Sequence, residues 1–330
     1  MISVLFYYAR FGGIEFLLYF FILLGLFFLM RVAMLGADHF LFKDRRASRD
    51  ALLLGKVFFI ICAFSLIYFC VLGFFIQKLD TRPSPLELAR NDQLLMNADR
   101  VIFGAYVPYW FGNKANPLQG VFSFLSSALI YAYNSLTLVL GFVFLLALFK
   151  NGGLFYKMAL AFALTTFLSL PFWYALPALT PLNGYTDNIL RAPIPAPIKR
   201  YVSSYQYSAP LAAYLAWPRS FQKDYGKQFF DATTIPSMHV AWATVALYFG
   251  IQALPVLGLV LIPYFILNFI GAIYTLQHYA VDTIAGMLVA VAGIILAIFL
   301  SRRWTPRLLL DFSAFIKRDI ERAKNGLSLF

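Results

Sequence analysis

Between Ala232 and Ser301 the chain runs for seventy residues with a single Asp, Glu, Lys or Arg, which is Asp282. Soluble domains carry about 25% charged residues, so this stretch cannot be the exterior of one. The rest of the sequence rules out a large soluble core that might hide it. Hydrophobic residues make up 61% of the 330, aromatic residues 18% and charged residues only 13%, with a mean hydropathy of +0.74. That surplus of apolar side chains has to face lipid. The expected fold is an all-α polytopic transmembrane helical bundle with six to seven spans and amphipathic interfacial helices.

A spanning helix needs about 20 predominantly apolar residues. Seven stretches qualify: Ile14–Leu35, Leu53–Ile76, Val121–Phe149, Phe155–Ala178, Ser237–Leu254, Val256–Leu276 and Tyr279–Leu300. The first is the shortest of charge-free runs, with fifteen residues between Glu15 and Arg31. No internal repeat of the transporter kind is visible. The run near the N-terminus lacks a basic n-region beyond Arg10 and outlasts an h-region, so no cleavable signal peptide is expected. Three regions are expected: 1–77 as spans of unassigned role, 78–300 as a catalytic membrane domain, and 301–330 as a basic amphipathic tail.

The formal charge of +12 arises from 27 Lys+Arg against 15 Asp+Glu. The basic residues lie between apolar runs, which argues for topology signals and anionic lipid rather than nucleic acid. Seven spans place fifteen of the 27 on the side of the Gly36–Leu52 loop, the Lys150 hairpin and the C-terminus. That side is expected to be cytoplasmic, and the long Gln77–Gly120 and Leu179–Pro236 loops extracytoplasmic. In the tail, Leu308, Leu309, Phe312, Phe315, Ile316 and Ile320 recur at helical spacing. An amphipathic helix on the inner leaflet and a helix packed on the bundle's own end both fit. Cys62 and Cys70, eight residues apart in one apolar run, sit about 12 Å apart on a helix, too far for a disulfide.

Asp282 is the informative residue. An ionisable group inside a span is costly and points to function. His278 precedes it by four residues, so imidazole and carboxylate share a helix face. A carboxylate beside a histidine fixes its tautomer and makes the far ring nitrogen a better nucleophile. His239 follows Ile235-Pro236-Ser237-Met238, a helix-start signal with Ser237 suited to the cap. Two spans separate His239 from His278, so both return to one membrane face, that of the long loops. Free N–H groups at a helix start near Ser237 would favour an anion. Two histidines, a carboxylate and an anion site fit phosphoryl transfer through a covalent histidine. A structural hydrogen bond or a transporter's proton relay would use the same pair. His39, beside Asp38 and a basic cluster, reads as a solvated loop residue.

Pro236-Ser237-Met238-His239 resembles the Pro-Ser-x-His motif of the type 2 phosphatidic acid phosphatase superfamily, and His278-Tyr279-Ala280-Val281-Asp282 resembles its last motif, His-x-x-x-Asp. The resemblance implies His278 as the nucleophile, Asp282 as its orienting partner and His239 as the acid for the leaving group. Phosphatase members carry Ser-Arg six to seven residues before the last histidine, where this chain has Gly271 and Ala272. Their first motif, Lys, six residues, then Arg-Pro, has no clean match. The departures resemble the inositol phosphorylceramide synthase branch. Asp99-Arg100-Val101-Ile102-Phe103-Gly104-Ala105-Tyr106-Val107-Pro108-Tyr109-Trp110 is similar to that branch's Asp…Phe-Gly…Pro…Trp segment. The run Leu176–Tyr185 resembles the proline segment that stands there in place of the first motif, with Asn183 and Tyr185 as implied substrate contacts. Phosphate charge needs a partner, and Arg191, Lys199 and Arg200 follow shortly after. Arg191 is preferred, because guanidinium pairs with phosphate through two hydrogen bonds.

The expected function is an integral-membrane phosphotransferase that moves a phosphoryl or phospho-headgroup from a lipid donor to a hydroxyl acceptor, with no cofactor and no metal. A lipid phosphatase of the same superfamily and a proton-coupled lipid transporter are the alternatives. The expected partners are membrane lipids as donor and acceptor, and no nucleic acid.

Overall fold

The computed structural model describes residues 83–224 and 233–303, with isolated positions between 52 and 59 and between 311 and 321. The expected spans Ile14–Leu35 and Leu53–Ile76 lie almost wholly outside the described residues. Those that are described are helical, without a strand; only two isolated bridges, Asn113 with Tyr205 and Ala178 with Thr233, pair backbone in β fashion.

Helix α1 (Pro85–Phe103) starts with a serine cap. Ser84 Oγ accepts the Glu87 N–H, Pro85 occupies the first turn, and Gly104 closes the helix in the left-handed region at φ 73°. A short α2 (Val107–Trp110) follows. Helices α3 (Gln119–Asn134) and α4 (Leu136–Lys150) meet at a 50° bend. The expected Val121–Phe149 span is therefore broken at Ser135 rather than continuous. Asn151 caps α5 (Gly152–Ala175) by accepting the Gly153 N–H. A π-helical turn (Leu182–Thr186), α6 (Ala196–Ser204) and α7 (Ala209–Asp224) form the large loop. Helices α8 (Met238–Ala253), α9 (Gly258–Tyr274) and α10 (Ala280–Ser301) complete the bundle.

Among the described residues, three helical stretches are long and apolar enough to cross a membrane: Gly152–Ala175, Pro255–Tyr274 and Ala280–Ser301. The bent α3–α4 pair makes a fourth if it counts as one span. Helix α8 covers most of the expected Ser237–Leu254 span but has only 16 residues, about 24 Å, because Leu254 and Pro255 end it. An apolar exterior fits these lengths: Phe124, Leu138, Phe142, Leu259, Leu288 and Ile295 are all exposed.

Close approach of backbones holds the helices together, as small residues allow in membranes. Helix α10 packs on α5 and α8, and α9 on α3. A Cβ on Gly293 would run into Thr165 of α5, and one on Gly271 into the Leu129 carbonyl of α3. Of the tail's few described positions, Phe315 is buried in the main core with Leu148 and Phe155. That burial fits the tail packed on the bundle end.

Candidate active site

The link between α9 and α10 is made by its backbone. Leu276 adopts a left-handed φ of 59°, and the His278 N–H donates to the Ala272 carbonyl at 3.1 Å. Tyr279 is extended, and α10 begins at Ala280, so Asp282 falls in its first turn. His278 Nδ1 then lies 3.3 Å from Asp282 Oδ2. The carboxylate is fully buried, while the imidazole keeps 12% of its surface. Burial, and next the charge of His239, push His278 down to about 3, against a Thr234 backbone hydrogen bond that favours the charged form. His278 is therefore a neutral imidazole at physiological pH. Nδ1 is turned to Asp282, and the ring also makes the Thr234 backbone hydrogen bond, so both sides of the imidazole are held.

Ser237 caps α8 by accepting the Val240 N–H at 3.3 Å, which sets His239 in the first turn. Its Nε2 lies 2.6 Å from the Tyr133 carbonyl, and the Tyr133 ring stacks on it at 3.9 Å. A carbonyl only accepts, so Nε2 holds a hydrogen and Nδ1 is the nitrogen left open. The two histidine segments are joined directly, because the Ser237 N–H donates to the Asp282 carbonyl at 2.9 Å. Gly286 lies against the Ser237 backbone, where a Cβ would meet the carbonyl oxygen. This contact brings the starts of α8 and α10 together.

Helix α1 and the proline segment form the surroundings. Asn91 Nδ2 donates to the Pro177 carbonyl at 2.8 Å, and Asp92 Oδ1 accepts the Leu179 N–H at 2.7 Å. The Tyr109 hydroxyl donates to the Pro181 carbonyl at 2.7 Å. The segment in turn reaches the histidines: the Thr234 hydroxyl donates to the Ala178 carbonyl, and the Leu182 N–H to the Leu276 carbonyl. The Asp99 and proline stretches, far apart in sequence, thus form one layer beside the two histidine motifs.

Of the residues expected at the site, His239, His278, Asp282 and Ser237 come together. Ser237 is fully buried and spends its hydroxyl on the helix cap. Asn183 and Tyr185 sit buried in the π-helical turn, where the Asn183 Oδ1 and the Tyr185 hydroxyl have no hydrogen-bond partner. Burial, and then the Asp92 charge, hold the Tyr185 hydroxyl well above its usual range. Arg191 is exposed with φ 51°, and Lys199 and Arg200 are exposed on α6. Among the described residues, none of these three cations makes a side-chain hydrogen bond or ion pair. Ala272 is fully buried and Gly271 abuts the α3 backbone, so this bundle has no space for an arginine where the phosphatase motif carries one. Among the described residues, no three or more His, Cys, Asp or Glu are grouped to hold a metal ion.

Sequence reasoning passed over Asp92, Tyr133 and Thr234. Tyr133 and Thr234 hydrogen-bond the histidines through backbone groups, which leave no mark on residue type, and the stacking of the Tyr133 ring on His239 joins residues 106 positions apart. Asp92 had a readable signal, since it lies seven residues from Asp99 and both therefore fall on one helix face.

Fold and site together define a helical membrane protein with a buried His–Asp pair and a second histidine at two joined helix starts. The chain belongs to the PAP2 superfamily, whose sequence model matches residues 117–296, more than half of its length. Members of that superfamily are phosphatases and phosphotransferases, and membership indicates this kind of function on lipids. No curated protein and no solved structure matches the chain.

Proposed function

We propose that this protein is an integral-membrane lipid phosphotransferase working through a phosphohistidine on His278, similar to the inositol phosphorylceramide synthase branch of its superfamily. The observation that carries the reading is the 3.3 Å contact between His278 Nδ1 and the fully buried Asp282 Oδ2. A buried carboxylate is retained at such cost when it orients and stabilises a charge that develops during the reaction.

In the first step His278 Nε2 attacks phosphorus. The bond from phosphorus to the leaving oxygen breaks, and His239, which enters the step as the imidazolium, supplies from Nδ1 the proton that oxygen takes. Asp282 stabilises the imidazolium that forms. In the second step an acceptor hydroxyl gives its proton to His239 and attacks the phosphohistidine, which frees His278. The closed packing at Gly271 and Ala272 supports transfer over hydrolysis, because the arginine of the phosphatase motif has no seat. Arg191, followed by Lys199 and Arg200, is the candidate for the equatorial phosphate oxygens, with Asn183 and Tyr185 contacting the substrate. In this reading the bundle has six to seven spans, and the distribution of Lys and Arg supports both histidines on the extracytoplasmic face and the C-terminus in the cytoplasm.

The test is lipid extraction and mass spectrometry of cells making wild-type protein or His278→Ala. The expected result is a phosphorylated or headgroup-bearing lipid that vanishes with the variant, together with trapped phosphoprotein in wild type alone. Undiminished product from a purified, monodisperse His278→Ala protein would remove the assignment.

A further inference from the structure

Asp99 lies on α1, outside the residues matched by the superfamily model, and is fully buried. Its two carboxylate oxygens each take one backbone N–H from the start of α10. Oδ2 accepts from Ala280 at 3.0 Å, and Oδ1 from Val281 at 2.9 Å. These are among the first four N–H groups of a helix, which have no partner within it. Most helices satisfy such groups with the side chain of a neighbouring cap residue. Here the neighbour is Tyr279, which makes no side-chain cap bond. The donor pair is held instead by a residue 181 positions away in the chain.

We infer that Asp99 is a positioning residue for the His278–Asp282 pair, clamping the first turn of α10 so that the carboxylate meets Nδ1. The inference rests on the phosphotransfer reading above. The geometry is specific. The clamped residues, Ala280 and Val281, are the link between Tyr279 and Asp282. His278 sits two residues before that link and is itself fixed at the other end by its N–H to Ala272. At 3.3 Å the Nδ1–Oδ2 contact is at the long end of hydrogen-bond range, so a small drift of α10 would break it. A carboxylate at a helix N-terminus also opposes the positive end of the helix dipole. Asn91 and Asp92, both about two turns earlier on α1, tie the same helix to Pro177 and Leu179. The clamp therefore connects α10 to the layer that holds the proline segment.

The groups that bear on Asp99 are few. Asp282 from α10 lies within electrostatic reach of Asp99 and of Asp92 on α1. His278 stands just before the clamped turn. Arg100 turns away, with Nη1 donating to the Tyr106 hydroxyl at 3.2 Å.

Two variants separate positioning from folding. In Asp99→Asn one oxygen still accepts, but the amide NH2 opposes the second N–H, donor against donor. In Ala280→Pro, Asp99 stays and one N–H is lost. Proline suits the first helical position, and Tyr279 already has the ψ of 159° that a residue before proline prefers. The expected result for Asp99→Asn is a fall in kcat of about 10- to 100-fold, the scale of a sub-ångström to 1 Å misplacement, with KM unchanged. The acid limb of the wild-type pH–rate profile should disappear in that variant and persist in Ala280→Pro, whose kcat falls less. A role in folding alone would lower the yield of protein yet leave kcat per folded molecule and the limb as they are. That outcome overturns the inference, as does wild-type kcat in Ala280→Pro should Asp99→Asn fail to fold. His278→Ala run alongside separates the two readings. Turnover lost there but kept in Asp99→Asn refutes the positioning role only, whereas turnover kept in His278→Ala refutes the phosphotransfer reading itself.

Discussion

Replacing Gly286 with alanine should disable the protein far more than it destabilises it. An added Cβ would meet the Ser237 carbonyl oxygen and lie 3.0 Å from its carbon and 3.2 Å from its nitrogen. Even the closest C–H···O contacts hold carbon and oxygen about 3.3 Å apart, so the starts of α8 and α10 must part by about 1 Å. Overpacking of this kind costs about 1–3 kcal/mol. Losing the Ser237 N–H to Asp282 carbonyl hydrogen bond costs about 1 kcal/mol more. Against this, alanine is favoured over glycine inside a helix by about 1 kcal/mol. The net loss, roughly 1–3 kcal/mol, leaves a protein of ordinary stability folded. The chemistry has no such margin, because a displacement of about 1 Å between reacting groups lowers the rate about 100-fold. The assay pairs a thermal unfolding midpoint in detergent with turnover per folded molecule. Gly120→Ala is the control, since nothing lies within 4 Å of its Cβ position, and it should match or exceed wild type in both. Wild-type turnover in Gly286→Ala would refute the claim that this contact sets the distance between the two histidine motifs.

His239→Ala should slow transfer from a lipid donor severely but from an aryl phosphate much less, because an acidic leaving group needs no proton; equal losses on both substrates would remove the general-acid role. Burial pushes the Asp99 carboxyl up to about 6, against two backbone hydrogen bonds that lower it. The folded protein therefore holds this proton more tightly than the unfolded chain, and the linked stability is full below about pH 4 and lost as pH rises through 6, on the order of 3 kcal/mol. Unfolding midpoints of wild type relative to Asp99→Asn should accordingly rise between pH 7.5 and pH 4.5 while turnover falls; a parallel change in both would contradict the clamp by the ionised form. For sidedness, an impermeant thiol reagent on intact cells should label Ser203→Cys in the large loop and spare Lys150→Cys in the hairpin. The reverse pattern would put the site in the cytoplasm.

Much of this architecture is written in the order of residue types. The long apolar runs require helices in lipid whatever their packing, and α5, α9 and α10 appear close to where three of them stand. His278 and Asp282 do meet as their spacing suggests, but across the start of α10 rather than on one helix face, since His278 precedes the extended Tyr279 cap; the proline-serine signal before His239 leads to the observed cap. Breaks within apolar runs were less legible. Val121–Phe149 reads as one span because a helix apolar all round has no periodicity to interrupt, yet it bends by 50° at Ser135.

Composition and local spacing thus determined a lipid-facing helical chain with one histidine–carboxylate pair and a second histidine on the same face, because both depend on interactions within a turn or on transfer from water. Only the tertiary structure decided which backbone atoms meet. Tyr133 offers a carbonyl to His239, Gly286 admits the Ser237 backbone, Ala272 is sealed against an arginine, and Asp99 reaches across 181 positions to the first turn of α10. Such contacts depend on main-chain groups that every residue carries alike, so they take their identity from the way the helices pack and from nothing that residue type alone can spell.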